Sequence, residues 1–376
     1  MISILKEIAK LRKEKPIAID YKNNNRYRVV VQEQNGTKTA YYFSAPIYNT
    51  TTKKGVDLKF KNIGNIACSF GSNTEIRVSN EVYMKNAENY CRLSLTNAVS
   101  QIKEHEVQCG KDTLLLTTNG VACNAYIKEK LNISFELEVG IPFMNVTAND
   151  KCVCFMREQF RPFMTVSCIG TVNGSGEVIA PARITYRQID DRKYVFTLTP
   201  CSPIGEHVMF EVNLYEEKLF QDTTVESLNP KTNNAFGSTA FIGNTAEYGE
   251  QWLYSRPDFM KMQELMDKHI QYAVLYLPKY NQSKVELSAY NIAARFCSFG
   301  SNWENKIAIS TAIVDSNATL HYHALDITSL ISDERTKFFK YSEGLILKSK
   351  IKGSGFAAIA TGDSYFAPQI LEINYK

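Results

Sequence analysis

The segment EYGEQWLYSR brings Tyr248, Trp252, Tyr254 and Arg256 into one short stretch. The chain's other tryptophan, Trp303, follows the turn-forming residues FGSN. Residues of these types can hold sugars. The flat C–H face of a sugar ring packs on an aromatic face, while guanidinium and amide groups reach its hydroxyls. If the chain binds a glycan, Tyr248, Trp252, Tyr254, Arg256 and Trp303 are the candidates. A tryptophan beside Gly300, Ser301 and Asn302 is expected to be exposed. Packing of a loop on a strand would account for the same rings without a ligand.

Other combinations carry less chemistry. HYH at His321–His323 puts two imidazoles on one face of a strand, a spacing usable for a metal, but no third ligand is visible. Nine cysteines cannot all pair within one chain, and none lies in a CxxC. CVC at Cys152–Cys154 would put two thiols on the same face of a strand. Reduced, mostly unpaired thiols are the expectation. Nothing singles out two carboxylates converging on a groove, as a glycosidase requires. No G-x-S-x-G, P-loop or dinucleotide fingerprint occurs. No catalytic residue, metal site or cofactor is therefore expected.

The elements that would position these residues read as strands. VELSAYNIAARFCSF, KIAISTAIV, HALDITSLI and QILEINY alternate apolar and polar residues, and FGSN and KGSG supply turns between them. The hexapeptide CSFGSN occurs twice, at Cys68–Asn73 and Cys297–Asn302. The match extends without a gap from Val56–Glu75 over Val285–Glu304, and further segments follow in the same order. YCRLSLT lies over YHALDIT, and LLL over LIL. A duplicated domain is the expectation. Phe70 and Phe299 would then point inward, Gly71 and Gly300 would permit tight turns, and the asparagines would take positive φ.

Short strands at roughly 8–12-residue spacing point to an all-β chain of tandem jelly-roll or β-sandwich domains. The expected division is a helix over 1–16, an N-terminal β-sandwich region over 17–215 and a second domain over 216–376. Within the first region, 17–140 is the divergent repeat. The strands of 141–215 either complete that sandwich or form a third one. Ile4, Leu5, Ile8 and Leu11 share one helical face ahead of Pro16, which docks on the chain's own body or on another structural protein of an assembly. Arg256–His269 is the other stretch that looks helical.

Composition excludes some classes. Of 376 residues, 44% are hydrophobic and 22% charged, so cores of ordinary size can form, and Tyr and Phe dominate the aromatics. A net charge of +4 argues against nucleic acid or a membrane surface as partner. No apolar run approaches the ~18–20 residues of a membrane span. The opening MISILKEIAKLRKEKP lacks the features of a secretory signal, so synthesis in the cytoplasm is expected.

LFQDTTVESLNPKTNNAFGSTAFIGN at Leu219–Asn244 resembles the opening of DNRLRE domains, with its D-x-x-V, N-P and G-S elements and a strand ending in G-N. IQYAVLYLPKY, ALDITSLI, EGLILK and APQILEINYK follow in the order of that family's later strands. The likeness covers about 216–376 and departs at Arg256–His269, where a basic, Met-rich segment replaces the family's usual strand. The first copy lacks the N-P and G-S opening. The resemblance implies a jelly-roll sandwich that is itself no catalyst, similar to carbohydrate-binding modules or to modules of bacterial surface and phage-type proteins. The resulting expectation is a non-enzymatic structural or adhesive protein of a phage tail, tail-like particle, or spore or cell surface, whose partner is a polysaccharide or cell-surface glycan. The rival is a jelly-roll polysaccharide lyase or glycoside hydrolase using Tyr, His and Arg as acid and base.

Overall fold

The structure, a computed structural model, describes residues 11, 18–49, 54–55, 61–63, 66–70, 74–86, 89–94, 99–103, 106–117, 119–127, 133–140, 143, 145–215, 217–292, 294–353 and 355–376. The expected N-terminal helix lies outside the described residues except for Leu11, as do Gly71, Asn73 and His105. The chain is nearly all β, in antiparallel sheets paired as sandwich-like units. No helix among the described residues is long and apolar enough to cross a membrane. Two compact units divide the chain.

The first unit comprises Val56–Glu217 with Phe236–Ser238. One of its sheets runs Ala182–Gln188, Lys193–Pro200, Ile133–Val139, Asn89–Ser94, Glu81–Asn86, Thr74–Val78, Ile66–Phe70, Lys61–Ile63. The other is centred on Gly120–Tyr126, His207–Leu214 and Arg161–Val172. Period-two alternation builds the core. In EVYMKN, Val82 and Met84 turn inward while Glu81, Tyr83 and Lys85 turn out. The inward set meets Val121, Phe155, Val166, Phe210 and Val212 of the facing sheet. Ile133–Val139 pairs with Lys193–Pro200, and Gly120–Tyr126 with His207–Leu214. The strands of 141–215 therefore complete this sandwich and form no third one.

The second unit takes the chain up to Gly55, Lys218–Ala235 and Thr239–Lys376. Here the expected boundaries are corrected. Strands Arg28–Gln32 and Lys38–Phe43 fall within the expected N-terminal region over 17–215, yet Lys38–Phe43 lies along the last strand, Ile370–Tyr375, with Lys38 opposite Tyr375 and Phe43 opposite Ile370. The physical reason is an edge. Without this hairpin, Ile370–Tyr375 would expose a row of unpaired backbone groups. The hairpin itself is legible: Asn35-Gly36 closes it, and Gly36 has φ +83°, where a glycine carries no Cβ penalty. Ile270–Pro278, Tyr322–Asp326, Ala18–Ile19 and Asn317–Ala318 complete this sheet. The facing sheet runs Ile309–Asp315, Leu287–Ile292, Leu345–Ser349, Gly249–Pro257, Thr239–Thr245, Gly355–Ala360, with Phe220–Glu226 beside Gly249–Pro257. Phe259, Met262 and Leu265 repeat every third residue, the period of a 3-10 helix, and Phe259–Leu265 folds as two 3-10 turns broken at Met262, whose φ of -117° and ψ of 28° are non-helical.

The duplication does not extend to topology. Cys68–Phe70 lies within a strand, Cys68 opposite Arg77 and Phe70 opposite Glu75. Cys297–Ser301 is instead a tight turn closed by Ser301 N–H donating to the Cys297 carbonyl at 2.9 Å. Thr74–Val78, Glu81–Asn86 and Asn89–Ser94 neighbour one another in one sheet, whereas the matching Ile309–Asp315 and Tyr322–Asp326 lie in different sheets. Neither Gly300 nor Asn302 takes positive φ, and Phe299 is only half-buried. Asn302 serves differently: it and Asn305 exchange backbone-to-side-chain hydrogen bonds at 2.8 and 3.1 Å. Six identical residues fix local chemistry, but strand or turn is decided by what packs against them.

The eight described free cysteines include Cys152 and Cys154, which do share a strand face, their sulfurs 3.4 Å apart. Burial pushes the Cys91, Cys123 and Cys168 thiols up.

A fragment beginning at Glu216 should be much less stable than the same fragment fused to residues 18–49. It would lack the Val30, Ala40 and Tyr42 contributions to the core, worth on the order of 5 kcal/mol together. Urea unfolding of the two proteins measures this, and equal stability would refute the shared sheet.

Candidate functional site

Strand Gly249–Pro257 has two apolar faces. Leu253 enters the core between the sheets, while Trp252 and Tyr254 turn to the opposite face with Val225, Ile346 and Ile292. Residues 294–308 cover that outer face and contribute Phe296 to the buried cluster, with Trp303 and Ile307 packed on it. The covering loop is tied down by Asn233, whose Nδ2 donates to the carbonyls of Ser298 at 2.6 Å and Ser301 at 2.8 Å. The second hexapeptide is thus the clasp of this cover.

Trp252 and Trp303 meet with ring centroids 5.1 Å apart and planes tilted by 55°. Trp252 is only 8% exposed and its indole N–H donates to Glu250 Oε1 at 2.8 Å. Trp303 is half-buried, so it presents part of its ring outward. Lys348 Nζ stands 5.3 Å from both the Trp252 and Tyr290 rings, and Lys306 Nζ 4.6 Å from that of Trp303. An ammonium over an indole face is held by the ring quadrupole. The result is an outer sheet face on which partly exposed aromatic surface and two ammonium groups adjoin. Such a face can stack a sugar ring and reach its hydroxyl or carboxylate oxygens.

The five expected residues fare differently. Trp252 and Trp303 come together. Tyr254 shares their cluster but is wholly buried; the Ile307 N–H donates to its hydroxyl at 3.0 Å, and burial pushes its phenol up to about 12. Tyr248 is wholly buried against Phe241, outside the cluster, with centroids 6.1 Å apart. Neither tyrosine ring is open to a sugar, contrary to expectation; each fills packing space instead. Arg256 sits further along the strand, donating to Gln221 Oε1 at 2.7 Å, with Glu343 at 3.7 Å. Burial and the neighbouring Arg295 lower its pKa. Tyr290, Lys348 and Lys306 were missed. The alternation of LSAYNI and LILKSK carries a usable signal, since it puts Tyr290 and Lys348 opposite the core-facing Ala289 and Leu347.

The histidine pair does not form a site. His321 is exposed ahead of the strand, whereas His323 is 1% exposed, with Ser316 Oγ 3.3 Å from its Nδ1. Among the described residues no cluster of His, Cys, Asp or Glu is placed to hold a metal. The first unit offers further aromatic surface. Arg77, Tyr83 and Arg92 lie directly across neighbouring strands, with guanidinium carbons 5.9 and 5.8 Å from the Tyr83 ring. A cleft of about 600 Å³ is lined by Phe143, Tyr186, Tyr194 and Arg192 among others.

With this geometry in view, comparison with protein-family models and with curated proteins finds no match to the chain.

His323 gives a pH test of the fold. Burial and nearby Lys279 lower its pKa to about 4, from an ordinary value of 6.5. The unfolded chain therefore binds the proton first, and stability falls as pH drops from 6.5 toward 4, by at most about 3 kcal/mol. In urea titrations across that window, His323→Gln should lose less stability than the parent chain. Parallel losses would show that His323 contributes nothing to the acid response.

Proposed function

We propose that this chain is a non-enzymatic structural or adhesive β-sandwich protein of a bacterial or phage surface assembly, with a glycan held at the Trp303 face of its second unit. The observation that carries the reading is the tilted Trp252–Trp303 pair, flanked by Tyr290, Lys348 and Lys306 on an outer sheet face. Trp252, fixed by Glu250 and its neighbours, serves as a rigid base; Trp303, Tyr290 and the two lysines make the contacts. A preset aromatic platform loses little side-chain entropy on binding, which suits a weak ligand with few apolar atoms. The finer description, jelly-roll units of which the second, about 216–376, resembles DNRLRE domains, sited on a tail-like particle or a spore or cell surface, rests on the likeness of Leu219–Asn244 and the strands after it.

The two tryptophans should respond differently to loss. Trp303→Ala in the full chain is expected to weaken glycan binding several-fold, because stacking on one ring is worth on the order of 1 kcal/mol, and to leave the melting temperature nearly unchanged. Trp252→Ala should destabilise the protein by about 3–5 kcal/mol, as for a packed interior ring. Glycan-array binding followed by calorimetry, with thermal melts of each variant, checks both. Absence of binding to every acidic and neutral polysaccharide would leave the structural role alone standing.

A further inference from the structure

Two carboxyl groups and one amine share a buried corner of the second unit. Lys218 precedes strand Phe220–Glu226, which carries Asp222; Asp363 follows strand Gly355–Ala360. Lys218 Nζ lies 2.6 Å from Asp363 Oδ1 and 2.7 Å from Oδ2, and 3.8 Å from Asp222 Oδ1. It also donates to the Ala235 carbonyl at 2.6 Å, which fixes the direction of the amine. The side chains of Asp222 and Asp363 are 1% and 2% exposed, and that of Lys218 11%. The two carboxyl groups hydrogen-bond to each other, and the Gly362 N–H donates to Asp222. Gly362 is required for that approach: a Cβ there would lie 2.8 Å from the Phe220 Cβ and 2.9 Å from Asp222 Oδ2.

We propose that Lys218 and Asp363 condense into an intramolecular amide cross-link, with Asp222 carrying the protons. Contact with both Asp363 oxygens places the amine nitrogen about 3 Å from the carboxyl carbon, the separation of a near-attack pair. Burial pushes the carboxyl groups of Asp222 and Asp363 up, the direction that favours a proton held between them.

The step balances without any other reactant. The Lys218 ammonium passes one proton to the remaining carboxylate, leaving a neutral amine and two neutral acids. The nitrogen lone pair adds to Asp363 Cγ. Asp222 takes a proton from that nitrogen and delivers one to the departing hydroxyl, which leaves as water with the electron pair of its C–O bond. The new Nζ–Cγ bond replaces one Cγ–O bond, and Asp222 ends as it began. General acid–base help of this kind needs the carrier within hydrogen-bond reach of the group it protonates, which Asp222 is for Asp363. Exclusion of water from the corner disfavours the reverse hydrolysis.

The proposed bond would close a loop between residues 145 apart in the chain, from the point where the chain returns to the unit to the segment before its last strand. Tension applied between those points would then be borne by a covalent tie. This inference does not depend on glycan binding.

Mass spectrometry of the full chain, unfolded in denaturant, tests it. The parent protein is expected to be lighter than its sequence by one water. Trypsin should release a branched peptide in which Tyr194–Lys231, uncut at Lys218, is joined to Gly353–Lys376. Lys218→Arg keeps the positive charge and should show its full sequence mass. Asp222→Ala retains both reacting groups and should lower the linked fraction at least tenfold. Full sequence mass in the folded parent chain, with the two peptides recovered separately, overturns the proposal. So does a lost water found within a linear Gly353–Lys376 peptide. Undiminished linkage in Asp222→Ala would remove Asp222 from the mechanism. If Lys218→Arg fails to fold, the parent mass and peptide map decide the matter alone.

Discussion

The second unit depends on one pairing, that of Lys38–Phe43 with Ile370–Tyr375. It joins residues more than three hundred positions apart and turns the last strand from an edge into the middle of a sheet. Side chains reinforce it. Asn374 Nδ2 donates to Thr37 and Thr39 at 3.0 and 2.9 Å, and the Tyr41 hydroxyl donates to Glu372 at 3.2 Å. At the strand's start, Gln369 N–H donates to Ser44 Oγ at 2.9 Å while Ser44 N–H donates to the Gln369 carbonyl at 3.0 Å. Ile270–Pro278 pairs on the other side of the same strand, and its Tyr272 and Tyr276 hydroxyls also reach Glu372, at 3.0 and 2.7 Å. A carboxylate accepting three phenols has its lone pairs satisfied despite burial, which is what permits it there.

With that sheet in place, the facing sheet gains a floor, and its outer face is left to do something else. Leu253, Leu345 and Leu347 face the floor; Trp252, Tyr254 and Ile346 face away. An outward row this apolar is stable only under a cover, and residues 294–308 supply it. The cover stops short of complete closure at Trp303. The proposed binding surface is the part of Trp303 that this packing leaves uncovered.

The sequence was informative where periodicity is local. Alternation in EVYMKN, LSAYNI and LILKSK identifies strands and assigns their faces, and Asn35-Gly36 identifies a hairpin. It was silent on which hairpin joins which sheet, because pairing across the whole chain leaves no mark on a window of ten residues. Repeated identity misled for the same reason: CSFGSN can be strand or turn, and the partner strand or the clasp by Asn233 decides. Trp252 and Trp303 do meet, but Trp252 is buried rather than open, and Tyr248 shows the limit more sharply. A tyrosine in EYGEQWLYSR has the chemistry of a sugar contact, and only the structure places it, buried, against Phe241.

The Lys218, Asp222 and Asp363 corner has an energetic oddity of its own. A buried ion pair is poor support for a fold, since the desolvation of both charges offsets most of their attraction. Adding a second buried carboxyl makes matters worse unless it stays protonated, which is how burial disposes this pair. Apolar side chains of similar size would fill the corner at lower cost. The arrangement makes better sense as chemistry than as packing: the amine is aimed by the Ala235 carbonyl, Asp222 is seated by the Gly362 N–H, and the reacting carboxyl lies between them. An amide in that place would replace two charges by one neutral group, removing the desolvation penalty that the unreacted corner carries.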